Sequence, residues 1–213
     1  MRDEKISNNE AIDAALHLDG DPQNVKQFYE DWAKNYNLDT TGSDYSGPVV
    51  SAKLLNQYLP TTNSRLLDAG CGTGLVGLEL QSLGYDSIDG FDLSDSMAEQ
   101  AIATGAYQSI LGGIDMMRAT ESYADASYAA ILSIGVFTLG HVPPEALLVL
   151  LKLVNPGGLL LVSTRTHYYD RTNFQAVVDD LASRKQVELL RVIRDAPYNN
   201  DGDGHYWVMR KLA

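Results

Sequence analysis

Residues 66–77 read Leu-Leu-Asp-Ala-Gly-Cys-Gly-Thr-Gly-Leu-Val-Gly and hold the densest chemistry in the chain. Asp68 stands two positions before Gly70, and glycines recur at Gly72 and Gly74. Without a Cβ, such a loop lets backbone approach a ligand closely. A helix beginning behind it would present free N–H groups to an anionic part of that ligand. The spacing is G-x-G-x-G. A dinucleotide fingerprint needs its third glycine at position 75, where this chain has Leu75. No Gly-Lys-Ser/Thr follows, so the loop is not a Walker-type phosphate cradle. Asp68 would repel a pyrophosphate but attract a ligand carrying an ammonium and a sulfonium. Asp92 follows Gly74 by 18 residues, where an acid commonly takes hydrogen bonds from a ribose diol. The bland alternatives are a tight turn without a ligand and, for Asp92, an acid at a helix N-terminus ahead of Ser94. An acid on each side of the glycines favours a ligand.

Other candidates are scattered. His141, in Gly140-His-Val-Pro-Pro144, is the first choice for a general base, against a loop-fixing hydrogen bond. Tyr198, Asn199 and His205 flank a Gly/Asp-rich segment and could line an acceptor pocket or simply frame a hairpin turn. Tyr198 and His205 are further catalytic candidates. Arg165 closes an apolar run and could grip an acceptor carboxylate or make a structural ion pair. Phe28, Tyr29, Trp32 and Tyr36 recur at helical spacing, which suits core packing, a cover over the site, or both. Cys71, the single cysteine, reads as a small residue that fits the turn.

These residues need elements to hold them. Helices are expected at Asn9–Leu18, Pro22–Tyr36 and Val49–Tyr58, with a polar loop from Asp39 to Pro48. From Arg65 the pattern becomes strand, turn, helix, repeated. Strands are expected at Arg65–Asp68, Ser87–Asp92, Tyr107–Leu111, Tyr128–Ile134, Gly158–Thr164, Val187–Arg194 and His205–Lys211. Helices are expected at Leu75–Leu83, Ser94–Thr104, Pro144–Leu153 and Asn173–Arg184, with Ser94 as an N-cap. This alternation predicts an α/β fold with a mostly parallel sheet and helices on both faces. Residues 1–48 read as an N-terminal helical segment and lid, and 49–213 as the main domain.

The 213 residues suffice for one domain with its own core. Sixteen basic residues against 28 acidic ones give a net charge of −12, which argues against nucleic acid and anionic membrane surfaces as partners. Half of that charge lies in residues 1–45, with ten acids and four bases. One cysteine excludes an internal disulfide and a multi-cysteine zinc site, so no metal is expected. The longest apolar run, Ala146 to Val154, is interrupted by Lys152 and falls short of a membrane span. The start lacks the apolar stretch of a secretory signal, and a cytoplasmic location is expected.

The chain resembles the class I S-adenosylmethionine-dependent methyltransferases. The likeness lies in D-x-G-x-G-x-G at Asp68–Gly74, the acid-tipped second strand at Asp92, and Pro156-Gly-Gly158 before an apolar strand. Within that superfamily it is similar to the type 11/25 enzymes and the Williams–Beuren syndrome region methyltransferase-like group. Segments 28–36, Tyr45–Pro48, Asp89–Ser94 with Met97, Ser133–Thr138 and Gly140–Pro143 carry this second likeness. The resemblance implies a Rossmann-like seven-stranded sheet of order 3-2-1-4-5-7-6 with an antiparallel last strand. It implies S-adenosylmethionine as cofactor and S-adenosylhomocysteine as product. Asp68, Gly70, Cys71, Gly72, Thr73 and Gly74 would surround the methionine part, and Asp92 the ribose. Leu93 and Met97 would meet the adenine, with Asp115 and Met116 near its amine. Ser133, Ile134 and Gly135 would line the cofactor from the fourth strand, and Tyr29, Trp32 and Tyr36 from the lid. Phe137, His141, Arg165, Tyr198 and Asn199 would face the acceptor.

Two departures from the pattern stand out, the first at a position that is generally structural. Tyr128-Ala-Ala130 replaces the usual aromatic–Asp pair, and no Asn/Asp-Pro-Pro-Tyr follows the fourth strand. The second counts against enzymes that clamp a nucleobase amine. Modest size, the acidic charge and an N-terminal cover point to a small-molecule acceptor. The alternative is a protein of this fold that catalyses another reaction or only binds the cofactor.

Overall fold

Runs such as Leu159-Leu-Leu-Val162 offer no polar residue to a solvent face, so strands built from them must be covered on both sides. In the computed structural model, which describes residues 8–42, 44–199 and 202–212, that cover is complete. The strands are β1 (Leu66–Ala69), β2 (Ile88–Phe91), β3 (Ser109–Leu111), β4 (Tyr128–Phe137), β5 (Val154–Arg165), β6 (Val187–Asn199) and β7 (Gly202–Lys211). They form one sheet of order β3-β2-β1-β4-β5-β7-β6. β7 runs antiparallel to both neighbours, and the remaining pairs are parallel.

The helices are α1 (Asn8–Ala15), α2 (Pro22–Gly42), α3 (Gly47–Tyr58), α4 (Leu75–Ser82), α5 (Asp95–Ala103), α6 (Ala146–Leu153), α7 (Thr166–Arg171) and α8 (Phe174–Ser183). Successive strand residues point to opposite faces, and two cores result. Leu67, Ile131, Leu160, Val162 and Trp207 pack with Leu147 and Leu150 of α6 and Phe174 and Val178 of α8. Leu66, Ala130, Leu132, Leu161 and Tyr206 pack with Leu54 and Leu55 of α3 and Val76 and Leu80 of α4. A third, small cluster joins Ile12 and Ala15 of α1 to Trp32 of α2.

Several boundaries differ from the sequence reading. Much of the expected polar loop at 39–48 is helix. α2 continues to Gly42, where Thr40 returns its hydroxyl to the Tyr36 carbonyl and Trp32 donates to Asp39. α3 starts at Gly47 with Pro48 in its first turn, where a missing N–H costs nothing. α7 and a 3₁₀ turn at Met116–Glu121, capped by Asp115, have no apolar period long enough to read. The β6–β7 hairpin extends through Gly202, beyond the expected start at His205.

One acid fastens α2 to the sheet side of the molecule. Glu30 accepts hydrogen bonds from the Asp95 and Ser96 N–H groups at the start of α5, at 2.6 and 3.0 Å. Burial works against its ionisation, but those bonds outweigh it and hold the carboxyl below its ordinary range. Lys26 adds an ion pair to Asp95 at 2.6 Å. Glu30→Ala is expected to remove a helix cap worth about 1 kcal/mol. Limited proteolysis should then cut within residues 8–42 sooner than in the parent, with the sheet core still protected.

Candidate active site

The turn after β1 is built from left-handed glycines. Gly70, Gly72 and Gly74 have φ of 77°, 53° and 89°, a region that L side chains rarely adopt. Gly70 and Cys71 donate their N–H groups to the Phe91 carbonyl, which closes the loop against β2. α4 then begins after Gly74 with no side-chain cap, which leaves the Leu75 and Val76 amides available while Gly77 donates to Tyr107. A Cβ at Gly72 would meet no atom within 4 Å, so this side of the loop is open space.

Asp68 is buried at the end of β1. Its Oδ2 accepts from the Tyr107 hydroxyl at 2.6 Å, while Oδ1 has no partner among the described residues. Burial pushes this carboxyl up to about 7, against the opposing effect of the Tyr107 bond, and the charge of nearby Asp92 adds to the rise. The same Tyr107 oxygen accepts from the Gly77 N–H in the first turn of α4. Asp92, just past β2, accepts from the Gly72 and Ser94 N–H groups at 2.8 and 2.9 Å. It therefore does what the bland reading required and still faces open space. Burial raises it to about 6, against the bonds from Ser94 and Gly72.

A cavity of about 770 Å³ lies over this loop. Gly70, Gly72, Asp92, Leu93, Met97, Asp115, Met116, Ile134 and Gly135 all line it, as the sequence placed them, with Tyr29 and Tyr36 from α2. Pro22, Val25, Phe91, Ile114, Val136 and Val142 line it too and had not been singled out. The donor set suits a ligand with one cationic end, a diol and an apolar ring. Asp68 is not part of the lining, its unpartnered oxygen being buried at the end of β1; the open face at Gly72 and Asp92 is where such a ligand would be held.

A second cavity, about 560 Å³, adjoins the first. Its walls come from α1 (Ile12, Ala15), Leu16 just beyond it, α2 (Trp32, Thr40), Tyr45, Thr138, Arg165, Tyr198 and Asn199. Tyr29, Tyr36, Gly135 and His141 belong to both cavities and form the partition between them. His141 Nδ1 lies 2.9 Å from the Leu139 carbonyl, which can only accept, so the ring proton sits on Nδ1. Its Nε2 then accepts from the Tyr29 hydroxyl at 2.7 Å. Burial pulls the His141 pKa down and the Tyr29 pKa well up, which keeps this pair neutral.

The remaining candidates are elsewhere. Phe137 is in the core against Tyr168 and Phe174, because a register shift between Ser133 and Phe137 turns the end of β4 away from the cavity. His205 is buried on β7, accepts from the Asp195 N–H at 3.0 Å and packs edge-on against Tyr169, lining neither cavity. Ser133 is buried and donates to the Ala69 carbonyl, tying β4 to β1. Trp32 faces the second cavity, not the first. Cys71 is buried, with its thiol pushed well above its ordinary range by burial, and lines a small side pocket with Thr73. Thr73 donates to Asn37 of α2 and so links loop to helix. Gly74 caps α4 behind the loop. Tyr198 bonds Ser163 and Tyr45 through its hydroxyl, and burial raises its pKa, so it is a wall of the second cavity and no base.

A methyltransferase domain family matches residues 48–212, and the chain belongs to that family. Human methyltransferase-like protein 27 is 35% identical over 142 residues, covering 66% of this chain and 57% of that protein. A ubiquinone biosynthesis O-methyltransferase of Caulobacter is 31% identical over 111 residues, covering 51% and 44% of the two chains. The matches thus span about half the length of these curated relatives. Among solved structures, the [4+2]-cyclase SpnF superposes with a TM-score of 0.68 at 17% identity, covering 93% of this chain and 98% of that one. Magnesium protoporphyrin IX methyltransferase of Synechocystis, solved with bound S-adenosylhomocysteine, gives 0.61 at 14%, covering 87% and 99%. The fold and family are those of the S-adenosylmethionine-dependent class.

The two raised carboxyls predict a pH dependence. A cation beside Asp68 favours the ionised form, so binding must expel protons below about pH 7. Calorimetric titration with S-adenosylhomocysteine is expected to show affinity rising with pH through about 6 to 7, then levelling off. The free protein should lose stability over the window from about pH 4 to 7, because its unfolded carboxyls ionise first. Tyr107→Phe removes the bond that lowers Asp68 and should move the binding midpoint to higher pH.

Proposed function

We propose that this protein transfers a methyl group from S-adenosylmethionine to a small-molecule acceptor held in the second cavity. The observation that carries the reading is the partition. One cavity is rimmed by the glycine loop and Asp92, the other by Arg165 and Tyr198, and Tyr29, Tyr36, Gly135 and His141 stand between them. The cover of the second cavity by α1 and α2 favours a small acceptor over a polymer. The described N-terminal residues, α1 and α2, serve in this reading as a cover that closes over both sites.

The glycine loop would surround the amino-acid end of the cofactor, with Asp68 facing its ammonium. Asp92 would take the ribose hydroxyls, Leu93, Met97 and Met116 the adenine, and Asp115 its amine. When bound, S-adenosylmethionine supplies a methyl group already activated on a sulfonium. The chain's part is orientation and exclusion of water. Where the acceptor must lose a proton, Tyr29 can take it on its hydroxyl oxygen while passing its own proton to His141 Nε2. The name of the Caulobacter relative, an O-methyltransferase, agrees with an oxygen nucleophile that needs such a base.

SpnF is named a cyclase, which keeps a second reading open in which the fold holds the cofactor for other chemistry. Acceptor screening with methyl-labelled cofactor separates the two. Transfer of label in step with S-adenosylhomocysteine release supports the first, whereas cofactor binding with no labelled product from any acceptor supports the second. With a competent acceptor, His141→Gln is expected to lower kcat about 100-fold, with S-adenosylhomocysteine affinity within a few-fold of the parent. An unchanged kcat would remove His141 from the chemistry.

A further inference from the structure

We infer that the acceptor carries a carboxylate that Arg165 binds, and that this carboxylate is not the methylated group. The inference rests on reading the second cavity as the acceptor site. Arg165 ends β5 with only 6% of its surface exposed. Its Nη1 donates to the Asn199 side-chain oxygen at 2.8 Å, and its guanidinium lies 5.1 Å from the centre of the Tyr198 ring. Nε and Nη2 are buried and have no hydrogen-bond partner among the described residues, and no described acid pairs with this arginine. Burying a guanidinium without an anion is unfavourable unless something later completes it.

The identity of the bare nitrogens specifies the ligand. Nε and the Nη2 beside it form the side edge of the guanidinium fork, whose parallel N–H groups match the two oxygens of a carboxylate. Nη1, on the other edge, is already committed to Asn199. Thr138, which lines the same cavity, adds a buried hydroxyl without a partner. Between these polar points the walls are apolar, supplied by Ile12, Ala15 and Trp32.

In this reading the carboxylate is set apart from the reacting end of the acceptor. Arg165 lines the second cavity alone and has no part in the partition. A carboxylate on its side edge leaves the other end of the acceptor to reach Tyr29 and His141. The acceptor class is therefore an apolar or aromatic acid with its nucleophile remote from the carboxylate, such as a hydroxyaryl carboxylic acid.

The test uses the full chain loaded with S-adenosylhomocysteine. Para-hydroxybenzoate, para-hydroxyphenylacetate and para-hydroxyphenylpropanoate are titrated beside their neutral amides. At least one acid is expected to bind about tenfold or more tighter than its amide. In Arg165→Gln that preference should vanish, with S-adenosylhomocysteine affinity unchanged within about twofold. Any acid that is turned over must give a product with its carboxylate free. Equal binding of acid and amide, no binding of any acid, a preference that survives in Arg165→Gln, or a methyl ester product would each overturn the inference. The acid–amide comparison needs no variant and holds even where Arg165→Gln fails to fold. Failure of the parent to bind S-adenosylhomocysteine would instead overturn the cofactor reading, and this inference with it.

Discussion

Asp68 sits where a charge is hardest to keep, inside a parallel sheet at the end of its central strand. The Tyr107 hydroxyl holds one of its oxygens, and that same phenol oxygen receives the Gly77 N–H. The end of β1, the first turn of α4 and the chain entering β3 therefore meet on one atom. A Cβ at position 77 would fall 2.5 Å from the Tyr107 oxygen, so the helix can approach only because Gly77 stands there. The glycine loop takes its path between these fixed points. Asp92 sets its other side by holding the Gly72 N–H. The path of the loop is thus an outcome of where two acids can be tolerated.

Features set by local pattern could be read directly. Continuous apolar runs located the central strands, because burial on both faces leaves no alternation to confuse them. Gly70, Gly72 and Asp92 marked the first cavity, since each belongs to a turn that directly follows its strand, whereas Gly74 and Asp68 lie outside its lining. Ser94 caps α5 through the Met97 N–H as its position suggested. What escaped depends on contacts between distant residues. Nothing around Tyr107 marks it as the partner of Asp68, 39 residues earlier. His205 has the right chemistry, but the pairing of β7 turns it toward Tyr169. Phe137 was misplaced by a register shift that no periodicity announces. The face made by Ile12, Ala15 and Leu16 shows helical spacing, and that stripe was the available sign that α1 must cover something.

The reversed strand has a particular use in this sheet. β7 brings the end of β6 back to the edge of β5, and Tyr198 and Asn199 reach the second cavity from there. Gly204 lies close under the Tyr198 ring, where a Cβ would come within 2.7 Å. Ser46 locks the same segment by donating its hydroxyl to the Pro197 carbonyl. The far wall of the second cavity is therefore built apart from the glycine loop. Changes in the hairpin can alter which molecule fits without disturbing β1 or β2.

α2 supplies Tyr29 and Tyr36 to both cavities at once. It is pinned at Glu30 to α5 and at Asn37 to Thr73 of the glycine loop. A rigid element that belongs to two compartments cannot open one and keep the other sealed. Any displacement of α2 would therefore open both compartments at once, and whatever occupied them would share one doorway.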